Sequence, residues 1–139
     1  MWFSDIYKLF EKHSNPNHLH ALVEMSPEEL DVLPVGAIRL GRDGTVLGYN
    51  QAESRLSGLL AERVLGRNFF TEIAPCTNVR EFAGEFHEGI KRGELYAVFP
   101  FLFNFRPPKL VTVTMYLYKP SGNVWVLVKS DPAQSTAPS

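Results

Sequence analysis

The chain has 139 residues, of which 45% are hydrophobic and 21% charged, enough for one domain with a core and too few for two. Fourteen basic residues nearly balance fifteen acidic ones, and no basic run with interleaved aromatic residues occurs, so a nucleic-acid partner is not expected. No apolar stretch approaches the roughly 20 residues that cross a bilayer. With a single cysteine and no secretory leader pattern, the sequence predicts a cytoplasmic protein with no membrane partner.

Residues 1–33 have the pattern of an N-terminal helical cap. Apolar residues recur there at spacings of three and four, which is typical of an amphipathic helix. The pattern breaks at residues 13–18, and a second short helix is expected after Ser26, which precedes Pro27 and two acidic residues. We expect the cap to pack on the sheet. The apolar positions are Trp2, Phe3, Ile6, Leu9 and Phe10.

From Val35 onwards the residue pattern is typical of β-strands. Two apolar runs flank Asp43-Gly44, a pair that favours a tight antiparallel hairpin. Asn50 is then the expected N-cap of a helical stretch. Glycines and a proline divide residues 50–76 into short pieces, and such a segment suits a pocket wall better than a long packing helix.

The second half of the chain predicts one helix and three strands. A helix is expected over residues 78–92 and ends at Gly93. Strands follow over residues 95–105, 110–118 and 124–128. In the middle one, apolar residues alternate with threonine and tyrosine, which predicts one wetter face. The order predicts an α+β domain with a five-stranded antiparallel sheet, helices on one face and the cap on the other.

The predicted organisation is therefore a cap over residues 1–33, a core over residues 34–130 and a disordered tail over residues 131–139, which has no hydrophobic residues to bury beyond alanine and proline. Six blocks of the core fall in a recognisable order: Gly36-Ala37-Ile38, Asp43-Gly44, the block from Tyr49 to Glu53, the block from Gly66 to Phe70, Ala74-Pro75-Cys76-Thr77 and the block from Trp125 to Lys129. Through these blocks the chain resembles the photoactive yellow protein family, whose members are blue-light photoreceptors with a PAS fold. The resemblance implies that residues 34–130 are a PAS photosensor core.

The resemblance implies a chromophore, p-coumaric acid (4-hydroxycinnamic acid), held as a thioester on Cys76. It implies that Tyr49 and Glu53 donate hydrogen bonds to the phenolate, and that light isomerises the chromophore before Glu53 passes on its proton and the domain partly unfolds. Ser57 stands where the family usually has a threonine that supports the tyrosine. The expected pocket residues are Ile38, Leu56, Leu59, Phe69, Ile73, Ala74, Thr77, Phe103 and Phe105.

Two departures from the family pattern are expected to affect the absorption colour and the rate of dark recovery. Leu59 stands where the best-known members carry an arginine, and a leucine neither shields charge nor donates a hydrogen bond. The loop at Arg106-Pro107-Pro108 is about one residue shorter than in relatives and lacks a methionine that helps the chromophore return to trans. We therefore expect slow dark recovery, which time-resolved absorbance would measure.

Other functions stay open at this point. A lone cysteine is more often a small buried residue than an attachment site, and the chain could be a ligand-sensing or dimerising PAS module without chromophore. An enzyme is not expected, because a cysteine nucleophile needs a nearby histidine and the four histidines lie in the cap or on the long helix. No metal, flavin or haem site is expected. The downstream signalling protein is unknown, and the chain is expected to be a monomer or weak dimer. The histidines are His13, His18, His20 and His87.

Overall fold

A computed structural model describes residues 16–105 and 107–130. Five strands pair into one antiparallel sheet, as predicted. The strands are β1 (Gly36–Leu40), β2 (Val46–Tyr49), β3 (Tyr96–Phe103), β4 (Lys109–Tyr118) and β5 (Asn123–Ser130). Their spatial order is β2-β1-β5-β4-β3, so the first and last strands of the chain are neighbours at the centre of the sheet.

The helical segments are short, as the glycine and proline positions predict. The described α-helices are α1 (Pro16–Val23), α2 (Pro27–Asp31), α3 (Gln51–Ser57), α4 (Ala61–Val64) and α5 (Glu85–Arg92). Between α4 and α5 lie a π-helical turn (Phe69–Ile73), a 3-10 turn (Pro75–Thr77) and a second π-helical turn (Arg80–Gly84). The helix predicted over residues 78–92 therefore starts as a π-helical turn, and it ends at Gly93 with φ 76°.

The predicted turns and caps are confirmed with one exception. Gly44 adopts φ 91° in the hairpin between β1 and β2, and Ser26 forms a capping box in which it accepts from the Glu29 amide while Glu29 accepts from the Ser26 amide. The exception is the break expected at residues 13–18. Pro16 begins α1 instead, because proline fits the first turn of a helix, where no amide hydrogen bond is lost.

Two predictions fall on other parts of the chain. The amphipathic helix expected from Trp2 to Phe10 and the tail at residues 131–139 lie outside the described residues.

Each face of the sheet carries its own core. The first face packs against α3 to α5 and the turns between them around a cluster that includes Ile38, Phe82 and Val126. Helix α1 covers the opposite face. Its Leu19 and Leu22 are each 1% exposed and cluster with the strand residues on that face. Helices lie on one face and the N-terminal cap on the other, as predicted.

The face of β4 that was expected to be exposed to water is only partly exposed. Thr112 and Tyr118 are partly exposed, while Thr114 and Tyr116 between them are buried. Tyr116 belongs to the same cluster as Leu19 and Leu22, so the cap removes water from the middle of this face.

Asn50 ties the two sides of the sheet together. Its Oδ1 accepts from the amides of Ala37 (2.8 Å) and Glu53 (3.1 Å), and its Nδ2 donates to the carbonyls of Leu30 (2.8 Å) and Val35 (3.0 Å). The side chain is buried, and its amide uses all its hydrogen-bonding positions. One side chain thus links the cap, the start of β1 and the first turn of α3.

Substitution of this residue should be strongly destabilising. Asn50→Ala leaves two buried amides and two carbonyls without their partner, so we expect the free energy of unfolding to fall by about 2 to 4 kcal/mol. Urea unfolding monitored by circular dichroism measures the change. Asn78→Ala, at an exposed asparagine, is the matched control and should stay within about 0.5 kcal/mol of the unmodified chain. Equal losses in the two variants would contradict the role given to Asn50.

Candidate functional site

A carboxyl group is buried where β2 leads into α3. Tyr49 ends β2, Asn50 caps α3, and Glu53 is the third residue of that helix, which turns its side chain inward. Glu53 is 1% exposed, and its Oε1 has no hydrogen-bond partner among the described residues. Burial raises the pKa of Glu53 to about 8. The group is therefore a neutral acid at pH 7, with a proton to donate.

Gly36 makes this position possible. A Cβ atom built on Gly36 would collide with Oε1 of Glu53 and lie 3.2 Å from its Cβ and Cδ atoms. Any side chain here would push the carboxyl group away from β1. Sequence reasoning missed this role, although a glycine inside an apolar strand is a signal of close approach by another group.

Two hydroxyl groups lie beside the carboxyl group. The Tyr49 and Ser57 hydroxyl oxygens are 2.8 Å apart, and Ser57 Oγ also accepts from the Leu59 amide at 3.1 Å. Either hydroxyl can be the donor in this pair, and when Ser57 donates, the tyrosyl proton is free for another acceptor. Burial, and next the nearby Glu53, raise the pKa of Tyr49. The tyrosine stays protonated and can donate.

Cys76 lies in the 3-10 turn Pro75–Thr77. Its thiol is free and partly buried, and it packs against the first-face core. Thr77 is buried and its hydroxyl donates to the Ala74 carbonyl at 2.6 Å, which fixes the turn. Asn68 holds the preceding segment: its side chain caps the turn Phe69–Ile73 and donates to the Asp43 carbonyl at 2.8 Å.

The structure brings most of the predicted site residues to one core. Tyr49 and Cys76 pack against the same cluster, and Phe103 and Phe105 stack there with ring centroids 4.9 Å apart. Leu59 differs, because it is 38% exposed and lies outside this cluster, just beyond Ser57. The predicted residues in the buried cluster are Ile38, Phe69, Ala74 and Phe103, and those packed against it are Tyr49, Leu56, Ile73, Cys76 and Phe105.

An aromatic cluster beside the site was not predicted as such. Phe82 is fully buried, and its ring lies 5.2 Å from that of Phe101 and 5.3 Å from that of Phe99, both edge-on. It also contacts Phe69 and Phe103. Aromatic rings from the turns and from β3 thus form a rigid wall beside the site. The alternate spacing of aromatic residues in β3 is the sequence pattern that could have predicted this wall.

Within residues 16–105 and 107–130, no three histidine, cysteine, aspartate or glutamate side chains are grouped to hold a metal ion. In the same residues, no helix has the length and hydropathy to span a bilayer. His87 is exposed on α5 and its ring contacts Phe86 and Phe70.

Comparison with known proteins gives consistent results. The PAS fold family matches residues 17–131. Photoactive yellow protein from Rhodothalassium salexigens is 40% identical over 111 residues, covering 79% of this chain and 89% of the relative. Photoactive yellow protein from Halochromatium salexigens is 39% identical over 111 residues, with the same shares of the two chains.

A solved structure shows the same relationship. The crystal structure of the photoactive yellow protein domain of the sensor histidine kinase Ppr from Rhodospirillum centenum is 44% identical in sequence, with a TM-score of 0.77. The match covers 80% of this chain and 98% of that domain. With the PAS fold, the relatives and this structure in agreement, the chain belongs to the photoactive yellow protein family.

Proposed function

We propose that the chain is a blue-light photoreceptor whose chromophore, p-coumaric acid, is linked as a thioester to Cys76. Tyr49 and Glu53 donate hydrogen bonds to the phenolate oxygen, and Ser57 supports Tyr49. The pocket residues are those predicted from the sequence, with Leu59 at its solvent edge. The chain acts as a cytoplasmic sensor, with a cap over residues 1–33 and a core over residues 34–130.

The observation that carries this proposal is the unpartnered buried acid beside the hydroxyl pair. A buried polar atom without a hydrogen bond costs about 1 to 3 kcal/mol, so Glu53 Oε1 is expected to find its partner in a ligand. A phenolate is a suitable partner, because a buried anion is tolerated only when strong donors surround it. The neutral Glu53 carboxyl and the protonated Tyr49 hydroxyl are two such donors.

Cys76 suits the other end of the same ligand. It is the only cysteine of the chain, so no second thiol competes for oxidation, and its partial exposure leaves the sulfur accessible to an activated acyl group. When bound, the chromophore supplies absorption of visible light and isomerisation about its double bond. The polypeptide supplies the attachment, the donors and a pocket wall that excludes water.

The proton of Glu53 links light to a change in the protein. If Glu53 gives up its proton, a carboxylate remains in a place that is 1% exposed, and an uncompensated buried charge destabilises its surroundings by several kcal/mol. Asn50 bonds both to the Glu53 amide and to the Leu30 carbonyl of the cap. We infer that loosening of α3 reaches the cap through Asn50, and that this is the signal to a downstream protein.

Attachment can be tested by mass. We expect the unmodified chain, treated with the anhydride of p-coumaric acid, to gain one coumaroyl group and a visible absorption band that bleaches in blue light and returns in darkness. Cys76→Ala should gain neither, because the sulfur that displaces the leaving group is gone. Ser57→Ala, which keeps the thiol, should still gain the adduct. A colourless, adduct-free product from the unmodified chain would contradict the proposal and favour a PAS module without chromophore.

The buried acid predicts a pH dependence of stability in the chain before attachment. The pKa of Glu53 is about 8 in the folded chain and 4.5 when unperturbed, so between these values the folded state binds more protons than the unfolded state. The contribution of Glu53 to stability is then most favourable below pH 4.5 and becomes less favourable as the pH rises towards 8. Glu53→Gln cannot ionise, so at pH 8 we expect it to be more stable than the unmodified chain by about 2 to 4 kcal/mol.

Urea unfolding at pH 5.5 and pH 8 measures this difference, and the histidine contributions cancel because all variants share them. Glu81→Gln, at an exposed glutamate, is the control and should follow the unmodified chain at both pH values. Parallel behaviour of Glu53→Gln and the unmodified chain would mean that Glu53 is ionised in the fold.

A further inference from the structure

A second cavity lies on the opposite face of the sheet from Cys76. Its volume is about 450 Å³, which is within the range of small-molecule sites. It is lined by Ala37 and Arg39 of β1, and Arg39 pairs with Gly48 of β2. The walls are mainly apolar and come from the cap, β2, α4 and β5; they include Met25, Leu30, Leu47, Leu65 and Trp125.

Arg39 and Trp125 line this cavity, and both carry hydrogen-bond donors without a partner in the described part of the chain. Arg39 is opposite Trp125 in the pairing of β1 with β5, and its guanidinium lies 6.0 Å from the centre of the indole ring. Within the described residues, no carboxylate pairs with Arg39; the one ion pair found there joins Arg67 and Glu72. Trp125 is 4% exposed, and its Nε1–H is buried without a partner.

Asp31, at the end of α2, places an acidic side chain elsewhere on the lining. Its Oδ1 accepts from the Gln51 amide at 2.9 Å, three residues along the chain from Gly48, the residue that pairs with Arg39. A second negative charge would be repelled beside Asp31, whereas Arg39 has no carboxylate partner among the described residues. The cavity therefore favours a molecule with one anionic head and an apolar body, oriented by its charge.

We propose that this cavity binds a small amphiphilic monocarboxylate, with its carboxylate on Arg39 and its apolar body between Met25, Leu30 and Leu65. A carboxylate fits because a guanidinium donates to two oxygens at once. The Trp125 indole N–H, buried close to Arg39, reports on the charge that binds there. Tyr49 lines this cavity and also belongs to the chromophore site, but binding of the carboxylate to Arg39 requires no chromophore.

The probe for this site is octanoate, added to the full chain labelled with nitrogen-15. We expect a saturable shift of the Trp125 indole N–H signal, identified by its persistence in Trp2→Phe. Octylammonium and 1-octanol, which have the same chain without the negative charge, should bind at least tenfold more weakly. Arg39→Gln should weaken octanoate binding about tenfold, and Arg80→Gln, at an exposed arginine on the other face, should leave it unchanged.

The comparison of the three probes uses the unmodified chain, so it stands even if Arg39→Gln does not fold. Equal binding of octanoate and 1-octanol would overturn the proposal, since the cavity would then be only an apolar surface. An indole signal that octanoate does not move would also overturn it, as would nuclear Overhauser contacts from that N–H to side chains of residues 1–15, which would show that the chain fills the cavity itself.

Discussion

The rest of this structure depends on the burial of one carboxyl group, that of Glu53. Glu53 is placed under β1 where water does not reach it, and the fold accommodates this in three ways. Gly36 leaves the space that the carboxyl group occupies, the Asn50 side chain accepts from the Glu53 amide, and burial keeps the acid protonated. In the part that is described, Oε1 of this carboxyl group has no hydrogen-bond partner. In the proposed function, the phenolate oxygen of the chromophore is that partner.

The same region connects the two cores of the domain. Asn50 lies between the site and the cap, and its four hydrogen bonds reach α2, β1 and α3. Buried hydrogen bonds of this kind stabilise a fold only while all partners stay in place. A change in the charge of Glu53 therefore acts on the hydrogen bonds of Asn50, which also hold the cap against the sheet. This gives a physical route from a proton on one face to a rearrangement on the other.

Much of this could be predicted from the sequence, because the signals are local. Asp43-Gly44 specifies the hairpin, Ser26 and Asn50 specify helix starts, and the position of Glu53 one turn after Tyr49 follows from them. Contacts made across the fold could not be predicted. Nothing near Gly36 in the sequence shows that Glu53 will lie against it, and nothing near Asn50 shows that it will bind the Leu30 carbonyl. Leu59 was expected at the solvent gate of the pocket from its place in the family pattern, and the turn that follows α3 leaves it 38% exposed.

The central claim is that Glu53 holds a proton in the dark and loses it after light absorption. Infrared difference spectra of the coumaroyl-loaded chain, recorded in darkness and during blue illumination, test it most directly. The account predicts that illumination removes a carbonyl stretch of a protonated carboxylic acid, and that this loss is missing in Glu53→Gln, while Glu81→Gln behaves as the unmodified chain. An acid band that stays unchanged under illumination, or one that disappears equally in Glu53→Gln, would contradict the account.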